Sequence, residues 1–199
     1  MKNIVFDLGG VVFARVRTEC SEEFQTFFSF VAKSGTPKFW DEYDRGALTF
    51  DEVKEEICRF RSCDLATCER MLDEAIGRQR EIPETKQLVG ELKEAGYRLY
   101  VLSNMSREFI DFLRRLPVYG MFDGEVVSCE VQVIKPDPKI YGLLLSRYGL
   151  DPAETLFIDD RQVNLDGAAA LGISTFLFDS YDAATSCRAL REMLLPAER

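Results

Sequence analysis

The chain of 199 residues is 46% apolar, 12% aromatic and 30% charged, a composition that fits a folded globular protein and excludes a disordered or fibrous one. A chain of this size buries roughly 70% of the surface its unfolded form exposes, so it needs neither disulfides nor a structural metal to fold. The 25 basic and 34 acidic residues give a net charge of −9 with no dense Lys/Arg block, which argues against a nucleic-acid partner, and the absence of histidine excludes His-dependent triads, His-ligated metals and imidazole acid–base chemistry.

In chain order, Ile4 to Phe6 reads as a short buried strand; its apolar run is too short for a signal-peptide core, and no stretch reaches transmembrane length. Both observations predict a cytoplasmic protein with no membrane partner. Residues 14–80 then pass without a convincing strand: Cys20 to Lys33 is predicted helical, Thr49-Phe50-Asp51-Glu52 is a capping box that opens a second helix, and Leu65 to Ile76 is a third. Trp40, Tyr43 and the phenylalanines of Phe24 to Phe30 are the expected core of this insert, which carries no Gly/Ser linker and should pack tightly on the rest. Cys58, Cys63 and Cys68 recur every five residues, which predicts different sides of a helix or turn, and with no CxxC spacing and no His all six cysteines read as reduced structural thiols.

Beyond the insert, strands alternate with amphipathic helices. A helix opens at Pro83 and stops before Gly96; strands follow at Tyr97 to Leu102 and Glu125 to Ser128. A helix from Pro138 to Gly149, a strand at Leu156 to Ile158, a helix closed by Gly172 and a strand at Ser174 to Phe178 complete the pattern. Tyr181 to Leu195 reads as a surface helix packing through Leu190, Met193 and Leu194. The fold class is therefore α/β: a Rossmann-like, doubly wound parallel sheet over residues 1–13 and 81–199, with a small all-helical insert over 14–80.

In an open parallel sheet, ligands bind beyond the carboxyl ends of the strands, and here those ends carry polar residues: Asp7-Leu8-Gly9-Gly10, Ser103-Asn104, Lys135-Pro136-Asp137-Pro138 and Asp159-Asp160. Asp7 with Asp159 and Asp160 would crowd carboxylates into one crevice, each pair repelling by about 4 kcal/mol at 4 Å and an effective dielectric of 20. Such a cluster calls for a cation, and hard oxygen ligands without His or thiolate suit Mg2+. Ser103, the amides near Asn104 and the Lys135 ammonium would hold phosphoryl oxygens, and an in-line Asp7 carboxylate could form an aspartyl-phosphate that water hydrolyses. Arg107 opens the helix after Ser103-Asn104, where a helix N-terminus favours anions, and is a candidate substrate contact.

These motifs together resemble the haloacid dehalogenase-like hydrolase superfamily, in the subclass whose helical cap follows strand one. Motif one resembles Phe6-Asp7-Leu8-Gly9-Gly10-Val11-Val12, motif two Leu102-Ser103-Asn104, motif three Lys135-Pro136-Asp137-Pro138-Lys139-Ile140-Tyr141, and motif four Phe157-Ile158-Asp159-Asp160 with Asn164 and Gly167. The resemblance implies a phosphatase of a small phosphorylated metabolite, with nucleophile Asp7, phosphate contacts from Ser103 and Lys135, and Mg2+ on Asp7, the Gly9 carbonyl and Asp160, with Asp159 and Asn164 behind them. A monomer or weak homodimer is expected. Family phosphatases usually carry a second Asp two residues after the nucleophile to protonate the leaving group; this chain has Gly9 there. That departure predicts a substrate with an acidic leaving group, such as a sugar 1-phosphate, or a proton supplied by the substrate or the cap. The alternatives are a catalytically silent protein that binds a phosphorylated ligand, and a metal-free 2-haloacid dehalogenase, against which Asp159-Asp160 stands. The cap should select the substrate, and Tyr43-Asp44-Arg45-Gly46 is its loop of interest.

Overall fold

The computed structural model describes residues 1–15, 19–31 and 36–195. Five parallel strands form one sheet in the order β5-β4-β1-β6-β7, where β1 is Asn3–Phe6, β4 Arg98–Ser103, β5 Gly124–Val127, β6 Thr155–Asp159 and β7 Ser174–Leu177. β1 lies at the centre, with Asn3 beside Arg98 and Thr155 and Phe6 beside Val101 and Ile158. Side chains alternate across the sheet with a period of two. Ile4, Phe6, Leu99, Val101 and Ile158 pack on one face, against helices α5 (Pro83–Glu94), α6 (Arg107–Leu113) and α10 (Ala183–Leu194). Val5, Tyr100, Leu102 and Phe157 pack on the other, against α8 (Pro138–Tyr148) and α9 (Gln162–Ala169). Burial on both faces explains why the central strands β1, β4 and β6 are nearly continuous apolar runs in the sequence.

The insert carries α1 (Glu22–Phe27), α2 (Lys38–Asp44), α3 (Phe50–Arg61) and α4 (Leu65–Gly77) around a third cluster, in which Phe24, Phe28, Phe30, Trp40, Val53, Ile57, Met71 and Leu72 are buried. Thr49 and Glu52 form the expected capping box at the start of α3, with both reciprocal hydrogen bonds in place. Phe109 of α6 joins this cluster, its ring 6.4 Å from that of Trp40, so the insert is seated on the sheet's helices through shared aromatic packing.

Several sequence expectations are corrected. The region around the insert is not strand-free: β2 (Phe13–Arg15) and β3 (Gln79–Glu81) pair antiparallel where the chain enters and leaves it, extended by the Ile82 N–H donating to the Val12 carbonyl. Three residues are too few to show alternation, and Gln79-Arg80-Glu81 has no apolar residue to betray a strand. The first insert helix is shorter than Cys20 to Lys33, ending at Phe27 before a turn that buries Phe28 and Phe30; Lys33 lies outside the described residues. Tyr43 and Asp44, expected in a loop, are the last residues of α2, which follows Pro37. Cys58, Cys63 and Cys68 do not diverge but meet at the α3–α4 junction, where burial pushes the Cys68 thiol up to about 12. In α10, Leu190 and Leu194 are buried, but Met193 falls at the edge of the stripe and is exposed. α7 (Ser128–Val131) follows β5 directly. Among the described residues no helix is long and apolar enough to cross a membrane.

Candidate active site

The three central strands end side by side, so the residues that close them converge. Asp7 follows β1, Ser103 ends β4, Asp159 ends β6, and Lys135 reaches in from the segment before α8. All four are buried. One oxygen of Asp7, Oδ1, accepts the Leu8 backbone N–H at 2.7 Å, the Ser103 hydroxyl at 2.7 Å and the Lys135 ammonium at 2.9 Å. No donor among the described residues is bonded to the other oxygen, Oδ2. The carboxylate is thus clamped in orientation through one atom and has the second available as a nucleophile.

The Lys135 ammonium has all three of its protons engaged: it donates to Asp7 Oδ1, to Asp159 Oδ2 at 2.7 Å and to the Leu102 carbonyl at 3.0 Å. Burial works against its charge, but Asp159 and Asp7 outweigh burial and hold its pKa above the ordinary lysine value. Burial pushes the Asp7 carboxyl up, Lys135 opposes the rise, and Asp159 adds to it. Asp159 is saturated. Besides Lys135 it accepts the Arg161 backbone N–H at 2.8 Å, and the Asn164 side-chain amide lies at 3.0 and 3.1 Å from its two oxygens. Asn164 is fixed in turn, its backbone carbonyl accepting the Tyr141 hydroxyl at 2.7 Å.

Asp160 is the contrast. No donor among the described residues is bonded to either of its carboxylate oxygens, and burial, then Asp7, then Asp159, push it up to about 7. Carboxylate oxygens of Asp7, Asp159 and Asp160 lie within 4.8 Å of one another. A half-buried carboxylate with no proton donor beside two others is what a divalent cation relieves, and the donors are all hard oxygens, so the residues present fit Mg2+. Gly10 makes room for the Asp160 carboxylate: φ is +78°, and a Cβ there would stand 2.5 Å from Asp160 Oδ2. Gly9 differs, because a Cβ at that position would meet nothing within 4 Å.

Two predicted contacts are placed differently from the rest. The Asn104 side chain closes a clamp on the Lys135 main chain, donating to its carbonyl at 3.0 Å and accepting its N–H at 2.8 Å. Its side chain therefore positions the lysine. Arg107 pairs with Glu130 at 3.2 Å and lines a cleft of about 240 Å³ between insert and core, with Tyr43, Phe50 and Glu108. Two charged groups near the site carry no motif in the sequence: Arg161, next to Asp160, and Asp44 of the insert, whose carboxyl feels Asp7, Arg161 and the Ser106 backbone N–H. Only the Tyr43-Asp44-Arg45-Gly46 turn itself could have pointed to Asp44.

The family model for haloacid dehalogenase-like hydrolases matches residues 1–172. The chain belongs to that family. A D-ribitol-5-phosphate phosphatase of Bacteroides thetaiotaomicron is 28% identical over 88% of this chain and 91% of its own length. An (S)-2-haloacid dehalogenase of Burkholderia cepacia is also 28% identical, over 69% and 57%. The mouse acyl-CoA dehydrogenase family member 10 shares 28% identity over 91% of this chain, which spans only 18% of that protein. Among solved structures, a haloacid dehalogenase-family enzyme of Bacteroides thetaiotaomicron in complex with magnesium and inorganic phosphate superposes with a TM-score of 0.72, at 29% identity over 90% of this chain and 95% of the other.

Proposed function

We propose that this family hydrolase is a Mg2+-dependent phosphatase of a small phosphorylated metabolite, working through an aspartyl-phosphate on Asp7. The observation that carries the reading is the asymmetry of Asp7: Oδ1 fixed by three donors and Oδ2 without one, beside the unbonded carboxylate of Asp160. The names of several relatives and the phosphate in the related crystal structure support it. Asp7, Asp160 and the Gly9 carbonyl would hold Mg2+, which supplies charge neutralisation at the phosphoryl oxygens.

The chain's own residues do the rest. Asp7 attacks phosphorus. Lys135 supplies a fixed positive charge, already oriented before substrate arrives, and one of its three hydrogen bonds must exchange to reach a phosphoryl oxygen. Ser103 makes the same exchange with its hydroxyl, which now points to Asp7. Asp159 and Asn164 hold Lys135 in place and keep its proton. A metal-free 2-haloacid dehalogenase fits less well, since without a cation nothing relieves the repulsion of Asp160 by Asp7 and Asp159. The test is inorganic phosphate release from a panel of phosphorylated metabolites with and without Mg2+, beside Asp7→Asn. Turnover that needs Mg2+ and disappears in the variant is expected; halide release from 2-chloropropionate without metal, and no phosphate release, would sink the reading.

A further inference from the structure

We propose that Asp44, carried on the insert, protonates the leaving-group oxygen and later activates water, replacing the carboxyl that is missing at position 9. The inference rests on the phosphatase reading above. Position 9 is exposed, and a Cβ there would meet nothing, so no neighbouring side chain has moved into the space. A proton donor must then come from the far side of the scissile bond, where the insert faces the sheet edge.

Asp44 is brought to that edge by three anchors within four residues. The Tyr43 hydroxyl donates to Glu108 at 2.6 Å, the Asp44 carbonyl accepts the Ser128 hydroxyl, and Gly46, at φ +76°, approaches so closely that a Cβ would stand 2.5 Å from the Cys129 carbonyl oxygen. These contacts pin the end of α2 over the carboxyl ends of β4 and β5. The Asp44 carboxyl is partly buried there, and the groups that face it come from three separate loops of the site: Asp7 after β1, the Ser106 backbone N–H before α6, and Arg161 after β6, with Asp41 on its own helix. Burial, then Asp41, then Asp7 outweigh the Ser106 amide and Arg161 and hold the Asp44 carboxyl well above the usual carboxylate range. A carboxyl that holds its proton more tightly than usual, set across the scissile bond from Asp7, is the division of labour that a two-step displacement needs.

The step balances. As Asp7 Oδ2 bonds to phosphorus, the ester P–O bond breaks, its electron pair stays on the leaving oxygen, and that oxygen takes the proton of Asp44. The Asp44 carboxylate then takes a proton from water as the water oxygen bonds to phosphorus, the bond to Asp7 breaks, and Asp7 regains its electron pair.

The experiment compares kcat/KM for an alkyl phosphate, whose alkoxide must be protonated, with p-nitrophenyl phosphate, whose phenolate leaves without a proton. Asp44→Asn is expected to lower the alkyl value by about 10²- to 10⁴-fold and to leave the aryl value nearly unchanged. Adding Gly9→Asp to that variant, where the structure has room for it, should restore part of the alkyl activity. Equal losses on both esters make Asp44 structural and overturn the proposal, as does no loss on either. If Asp44→Asn does not fold, the wild-type chain decides alone: a shallow dependence of kcat/KM on leaving-group pKa supports an acid at work, and a steep one overturns it. A wild-type chain that releases phosphate from no ester fails the phosphatase reading and this inference with it; wild-type turnover with an indifferent Asp44→Asn fails the inference only.

Discussion

Lys135 illustrates how one side chain can set the state of a whole site. Its ammonium touches Asp7, the saturated Asp159 and a strand carbonyl, and nearly all of it is withdrawn from solvent. Removing one partner from a buried ion pair leaves the other charge unmatched, at a cost of about 3–5 kcal/mol. Lys135→Met is therefore expected to abolish turnover and to lower unfolding free energy by about that amount, read from the midpoint of a urea titration at unchanged slope. A loss of activity with no loss of stability would mean that the pair is not closed in solution. Asp7, Ser103, Asp159 and Asp160 were legible in the sequence because each ends or follows an apolar strand run, and strand ends in a parallel sheet point at one crevice, whereas Lys135 lies beyond α7 and was legible only through its Lys-Pro-Asp-Pro motif. The division of roles between Asp159 and Asp160 was not legible from spacing, since it depends on which carboxylate finds Asn164 and the Arg161 amide. Asp44 was less legible still, because only tertiary approach brings an insert residue to the sheet edge.

Among the elements, those buried on two faces announced themselves and those defined by pairing alone did not. The central strands β1, β4 and β6, buried on both faces, fall within a residue of their apolar runs, the outer β5 and β7 were found from shorter runs, and Thr49 with Glu52 marked the start of α3. The ribbon of β2 and β3 has no such signature, because its hydrogen bonds join segments more than sixty residues apart. Helix α2 spans only seven residues, too few for a periodic pattern to stand out. Its last turn nevertheless decides how the insert meets the sheet, and Gly46, just after it, lies close against the Cys129 main chain. Gly46→Ala must both adopt a left-handed backbone and displace the Cys129 carbonyl, which costs about 1–3 kcal/mol for the backbone alone. The variant should melt earlier and lose kcat/KM on alkyl phosphates more than Gly142→Ala, a helical position where a Cβ meets nothing within 4 Å. Equal behaviour of the two alanine variants would show that the seam between insert and sheet is slack.

For the whole molecule, the acidic crevice links stability, pH and metal. Asp160 is held at about 7 against a usual 3.8, so between those values the folded chain keeps a proton that the unfolded chain releases. The stabilising contribution is complete at low pH and is lost as pH rises through about 7. Mg2+ competes for the same carboxylate, and binding to the folded state alone raises stability by mass action. The gap between melting temperatures with and without Mg2+ should therefore widen from pH 5 to pH 8, as followed by circular dichroism; a gap that narrows would place the cation away from Asp160.

Because Arg15 lies opposite Gln79, the polypeptide leaves the sheet and returns to it through a single two-stranded neck. Everything between those residues is an excursion that starts and finishes at one spot, so a different excursion could be spliced onto the same neck without disturbing the order of the strands. If the excursion carries both the proton donor and the surface that selects a metabolite, such an exchange replaces the two in one event. New selectivity and matched leaving-group chemistry would then be inherited together, with Asp7 and Lys135 left untouched.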